Sequence, residues 1–409
     1  MISLPDTSTL LPAACYPLSA TGGRLHVLPS TSTELVRLDL LHEAGSAYQP
    51  QMLCSAAANR LFTLASDTMD SCEVAEFMDY RGIIVEHNPD TFTCTTTFYL
   101  LRRYLDELLP VVKGLLERPA FPQDDFEVFR NKRRQELQAL QLKSGEVARR
   151  LFYQTLFGQD HPLGRYAAPE DADRLDRDTV LRYYQERYTT MDMVLSGNID
   201  QEAIEMVSSL SSSTSLTSST RTTSLSSLAQ PVSGAVQTTL RVGRILPLAW
   251  DSMDYARFML LTTLLGGYFG SRLMSNLRED KGFTYGIHAR TQIYRGVIVF
   301  YINTDVAAGT ADAAEEEIRH ELRRLCEEAV GEEELLMVKN VLVGDFIRSV
   351  DGIFERAERL CSMLATDVNE TFTDNLRQAL QETTPSQLQE LAQRMLRPDA
   401  MLFCRAGVI

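Results

Sequence analysis

The sequence predicts an α+β protein of two homologous domains, each a mainly antiparallel sheet packed against helices, joined by a Ser/Thr-rich linker. Three observations carry that prediction. Strand-like and helix-like runs follow one another in the same order in both halves of the chain. Gly82 and Gly282, 200 residues apart, each open a pair of strand-like runs. Between them, 16 of the 20 residues from Ser208 to Ser227 are Ser or Thr. Such a run has too little apolar area to offset the entropy of ordering it.

In the first half, a strand over Leu35 to Leu41 leads to an apolar helix around Ala56 to Ala65. Gly82 precedes strands at Ile83 to Glu86 and Phe92 to Tyr99, which are rich in β-branched and aromatic residues. A helix over Leu105 to Leu116 follows. After Pro119 and Pro122 comes one long charged helix, Asp124 to Ala148. In the second half, a strand (Thr238 to Arg244) leads to a helix from Asp254 to Leu265. Gly282 precedes strands Phe283 to His288 and Val297 to Asn303. Helices Ala311 to Ala329 and Glu332 to Ile347 follow. Ile318, Leu322 and Leu325 have the spacing of one buried helical face. The predicted boundaries are residues 1–207 for the first domain, 208–234 for the linker and 235–409 for the second domain.

The chain has 409 residues, 40 Lys plus Arg, 55 Asp plus Glu and a formal charge of −15. Its 44% apolar content is enough for a core in each domain. The acidic balance argues against a general binder of nucleic acid or anionic membranes, which needs clustered Lys and Arg. No run approaches the ~20 apolar residues that span a bilayer. Leu10 to Ala20 is apolar but has two prolines and no basic lead, so it reads as the start of the fold and not as a secretory signal. The seven cysteines are scattered, odd in number and free of any Cys-x-x-Cys pair. They read as buried free thiols in a reducing compartment, with cytoplasm as the expectation.

The most specific stretch runs from Leu264-Leu265-Gly266-Gly267 through Ser271-Arg272-Leu273 to Leu277-Arg278-Glu279-Asp280-Lys281-Gly282-Phe283-Thr284-Tyr285. No Lys-Ser or Lys-Thr follows the glycines, so a phosphate loop does not fit. A helix stop at Gly266-Gly267 and a new helix capped by Ser271 fit better. Arg278 at that helix's end and Tyr285 on the next strand offer a guanidinium fork and a phenol donor, suited to a peptide carbonyl or the oxyanion it becomes. A bland reading also exists: a surface Arg beside Glu279 and Asp280, and a core Tyr. Glu315-Glu316-Glu317 reads as a solvated face, and His161-Pro162-Leu163-Gly164 as a structural turn.

In these motifs the sequence resembles the pitrilysin/insulinase zinc peptidases, the group that includes mitochondrial processing peptidase. The resemblance extends over Gly45, Ala75-Glu76 with Gly82, Phe157-Gly158 with His161 to Gly164, Tyr183-Tyr184 with Arg187-Tyr188, and Ser196 to Asp200. It implies that Arg278 and Tyr285 are the substrate-holding pair of the second domain. The family's catalytic members carry His-x-x-Glu-His on the first helix and a third ligand, Glu, further on. Two His and a Glu hold zinc with one open position, and the motif's own Glu acts as base. Here the aligned positions are Ala58, Leu61 and Phe62, none of which binds zinc or moves a proton. Glu136 lies at about the distance of the third ligand and is either a relic or an ordinary helix Glu. No two of the six histidines stand at helical i, i+4 spacing.

The expectation is therefore a chain with no metal or cofactor of its own. It would serve as the non-metal subunit of a two-chain zinc endopeptidase, with zinc in a homologous partner bearing His-x-x-Glu-His. Unfolded peptides would be the substrates, lying as an added strand on a sheet edge. The rival is a catalytically inert scaffold or interaction protein of the same fold, in which Arg278 and Tyr285 are relics.

Overall fold

The alternating apolar residues around Leu38 and Val242 place two strands at the centres of two sheets. The computed structural model describes Leu4 and residues 14–18, 23–189, 191–210 and 228–408. Among these, the first sheet contains β1 (Ala14–Pro17), β2 (Arg24–Pro29), β3 (Leu35–His42), β4 (Ile84–Pro89), β5 (Cys94–Leu101) and β6 (Met191–Gly197), in the order β1-β2-β6-β3-β5-β4. The second contains β7 (Leu228–Pro231), β8 (Gln237–Leu246), β9 (Thr284–Tyr294), β10 (Val297–Ala307) and β11 (Leu402–Gly407), in the order β7-β11-β8-β10-β9.

The duplication is visible in the pairing. In each sheet one pair is parallel, β2 with β6 and β7 with β11. The other neighbours are antiparallel, and β3-β5-β4 corresponds to β8-β10-β9. Gly82 and Gly282 both hold φ +63°, with open space where a Cβ would stand. Both turns therefore need a residue that enters the left-handed region cheaply.

The helices follow the same plan. The first half has α1 (Cys54–Leu61), α2 (Ser71–Tyr80), α3 (Leu105–Glu117), α4 (Gln123–Leu140), α5 (Ser144–Phe157), α6 (Pro169–Arg174), α7 (Arg177–Arg187) and α8 (Gln201–Ser208). The second has α9 (Met253–Gly266), α10 (Ala311–Glu327), α11 (Glu332–Arg348), α12 (Ile353–Thr366), α13 (Thr371–Glu382) and α14 (Pro385–Met395). Ala314, Ile318, Leu322 and Leu325 of α10 are buried in the second domain's core with Val242, Phe300 and Phe258. Each large apolar side chain so buried contributes about 1.5–3 kcal/mol.

Two boundaries differ from expectation. The charged stretch from Asp124 to Ala148 is two helices, broken at residues 141–143. Leu228–Pro231, which the sequence places in the linker, is an edge strand of the second sheet. Residues 211–227 of the linker lie outside the described residues.

The break after α4 has a tertiary cause. It releases α5 to cross from its own half onto the second sheet, where Phe152, Tyr153, Leu156 and Phe157 pack with Val299, Leu402 and Cys404. The corresponding helix of the second half, α12, crosses the other way. Its Ala357 and Cys361 pack with Leu28, Leu41 and Val194 of the first sheet. Each sheet thus has one face covered by its own helices and part of the other covered by a helix from the opposite half.

A polar network, buried at Arg37 and Asp39 and exposed at Glu358, ties α12 to β3. Arg37 of β3 pairs with Asp39 at 2.8 Å and with Glu358 of α12 at 2.7 Å. Thr97 donates to Asp39 at 2.7 Å. Burial pushes the Asp39 carboxyl up, against the pull of Arg37 and Thr97. The β9–β10 turn adds a second tie: Arg295 pairs with Glu43 at 2.9 Å and donates to the Tyr48 hydroxyl.

All seven cysteines are free. Cys54, Cys94, Cys361 and Cys404 are buried, whereas Cys15 and Cys72 are exposed, so the expectation of buried thiols holds for four and fails for those two. Among the described residues no helix is long and apolar enough to cross a membrane.

Candidate functional site

The small residues of α1 let the helix lie close beneath the first sheet. Ala57, Ala58, Leu61 and Phe62 are all fully buried there. Phe62 stacks on Tyr184 with ring centroids 5.7 Å apart and packs against Tyr188 at 5.5 Å. Tyr184 also meets Phe121 at 5.4 Å. Tyr183 anchors this cluster by donating its hydroxyl to the carbonyls of Ala44 and Gly45 at 2.6 and 2.9 Å. The aromatic plug is a feature the sequence reading did not assemble; the Tyr183-Tyr184…Tyr188 spacing was its only signal.

Ala58, Leu61 and Phe62 do not fit a zinc ion: none carries a donor, and each is packed as core. Among the described residues no group of three or more His, Cys, Asp and Glu is placed to hold a metal. Glu136 lines a cleft of about 520 Å³ with Arg60, Leu61, His87, Lys132 and Arg133. Its carboxylate pairs with Arg133 at 3.0 Å. His87 sits at the base of that cleft, 3.3 Å from the Thr63 hydroxyl. Burial, reinforced by the charge of Arg60, pulls its pKa down to about 4.

The second domain presents the other half of the candidate site. Helix α9 ends at Gly266, where a Cβ would lie 2.6 Å from the backbone nitrogen of Ala289. That glycine lets helix and strand approach. Residues 272–273 are helical and lead into a π-helical turn, Met274–Asp280. Ser271 does not cap it; its buried hydroxyl has no partner. The wide turn is held from outside instead. Asn276 donates to Glu317 at 3.0 Å and to Glu321 at 2.8 Å. Lys281 also pairs with Glu317, and Arg272 with Glu334 at 2.8 Å. Glu317, expected as part of a solvated face, is a fastening point whose carboxyl Lys281 holds below the ordinary value.

Arg278 lies on this turn, its guanidinium 4.7 Å from the centre of the Phe269 ring. Tyr285 lies in β9 where the register against β10 shifts. It is 89% exposed, so it is not a core tyrosine. Neither side chain makes an ion pair or hydrogen bond to another described residue. The structure therefore places a half-buried guanidinium fork and an exposed phenol on adjoining elements. The motif at His161 is a structural turn: the Leu163 backbone donates to its Nδ1 at 3.1 Å, and its ring stacks on Phe157 at 4.9 Å.

Comparison with known proteins identifies the fold. Residues 174–342 match the profile of the family described as the Peptidase M16 inactive domain. An uncharacterized zinc protease of Streptomyces coelicolor is 22% identical over 76% of this chain and 72% of its own length. The non-peptidase homolog YmxG of Helicobacter pylori is 23% identical over 66% of this chain and 65% of its own. A solved structure described as a peptidase M16 inactive domain from Pseudomonas fluorescens superposes with a TM-score of 0.84 at 19% identity, covering 97% of this chain and 98% of that one. Residues 174–342 are thus similar to the M16 inactive domain, and the fold is that of the solved M16 structure, in line with the pitrilysin/insulinase resemblance of the motifs.

Proposed function

We propose that this chain is the non-metal subunit of a heterodimeric zinc endopeptidase. A homologous partner bearing His-x-x-Glu-His supplies the zinc and the general base, which together activate water. This chain supplies one wall of the peptide chamber. Arg278 and Tyr285 hold the substrate carbonyl and donate to the oxygen as it gains charge. Stacking on Phe269 takes up one face of the Arg278 guanidinium and leaves its N–H edges free to donate. One contrast supports the reading: positions 58, 61 and 62 carry no donors, while the half-buried Arg278 and the exposed Tyr285 have no hydrogen-bond or ion-pair partner among the described residues.

The rival is an inert interaction protein; the Helicobacter relative is called a non-peptidase homolog. Reconstitution decides between them. The chain alone is expected to bind no stoichiometric zinc and cleave nothing, yet restore peptide hydrolysis to its partner. Arg278→Ala and Tyr285→Phe should each lower kcat of the complex by roughly 10²-fold. Full activity in both variants, with the complex intact, removes the assignment.

A further inference from the structure

Arg241 is a buried cation without a counterion. It lies on β8, only 8% exposed, on the sheet face that α5 covers. Its guanidinium is 4.1 Å from the Tyr301 ring centre and 5.5 Å from those of Phe152 and Tyr153. It makes no ion pair and no hydrogen bond with any described residue. Of its guanidinium nitrogens only Nε is fully sealed from solvent. Burying a charge is costly unless a partner answers it, and aromatic faces return only part of that cost.

The register shows what lies beside it. Arg241 pairs with Asn303 of β10, which pairs with His288 of β9. The next row on the same face holds Tyr301 and Arg290. Ile287 and Ala289 point into the helical core, so His288 and Arg290 point to the open face, and both are exposed. Arg290 makes no ion pair. The acid nearest in the register, Asp305, accepts from the Thr239 hydroxyl at 2.5 Å. A chain of net charge −15 thus keeps two unanswered guanidiniums and an amide on one shelf.

We propose that this shelf binds a carboxylate of a peptide, with Arg241 as its anchor and Arg290, Asn303 and His288 as its rim. The inference takes its ligand class from the peptide-handling reading above, but it does not need a partner subunit or cleavage.

The test is fluorescence anisotropy on the isolated full-length chain. The probes are labelled octapeptides of alternating Glu and Gly with an amidated end, the same with Gln for Glu and a free carboxylate end, and a fully neutral Gln peptide with an amidated end. Binding of the first or second identifies side-chain or terminal carboxylates as the source. Arg241→Met should weaken that binding about 10- to 100-fold, as expected for a lost charge-assisted bond. Arg290→Gln, at an exposed site, should weaken it about threefold or more and gives the answer should Arg241→Met not fold. Equal binding of the neutral peptide, no saturable binding of either acidic probe, or wild-type affinity in both shelf variants would overturn the proposal. None of these outcomes bears on reconstituted activity.

Discussion

Strand β3 lies under α12 and strand β8 lies under α5, and each carries a buried arginine facing the crossing helix. Arg37 meets two carboxylates, Asp39 and Glu358. Arg241 meets only rings. The same architectural position is thus a closed ion network in one half and an open cation in the other. The halves differ in the same way elsewhere. The helix that would carry metal donors in the first half is sealed with aromatic core, whereas the second half leaves Tyr285 and Arg290 exposed and Arg278 half-buried, none of them with an ion pair. The first half has spent its polar groups on packing, and the second has kept them available.

The sharpest test of that contrast is the pair Arg37→Met and Arg241→Met, compared by chemical denaturation. Arg37→Met leaves Asp39 buried without its partner and should destabilise by about 3–5 kcal/mol. Arg241→Met removes no ion pair and should lie within about 1 kcal/mol of wild type. Similar losses would mean that Arg241 is structural after all.

A second test concerns acid. His87 is folded with a pKa near 4, below the ordinary 6.5. Its neutral form is therefore favoured by folding. The stability this contributes is complete above about pH 6.5 and is lost as pH falls toward 4, up to about 3 kcal/mol. His87→Gln should flatten the denaturation midpoint over that window. A midpoint already flat in the wild-type chain would contradict the burial of this ring.

The smallest effects should be equal. Gly82→Ala and Gly282→Ala meet no steric obstacle but force alanine to φ +63°. Each should cost about 1 kcal/mol. A clear inequality would break the correspondence of the two turns.

Much of this was legible in the sequence because it is local. Gly82 and Gly282 mark equivalent turns, and the order of apolar runs predicts the paired strands and the duplication. The absence of donors at Ala58, Leu61 and Phe62 followed from the resemblance to the pitrilysin/insulinase motif. Within the run from Asp124 to Ala148 the local signal of the break is Ser144-Gly145, and the chain breaks just ahead of it at residues 141–143, where no proline or glycine stands. What was not legible depends on partners distant in the chain. The π-helical turn carrying Arg278 is held by Glu317 and Glu321, some 40 residues away. Local propensity points to Ser271 as a cap, and the fold leaves that hydroxyl unused. The isolation of Arg241 is likewise invisible until β9, β10 and α5 are brought around it.

The reciprocal crossing of α5 and α12 makes the molecule behave as a split pair that happens to be tethered. Either half expressed by itself would have a bare strip of apolar sheet where its neighbour's helix should lie. Two separately made halves would have reason to find each other and reassemble. The tether would then govern how fast they meet more than how firmly they hold.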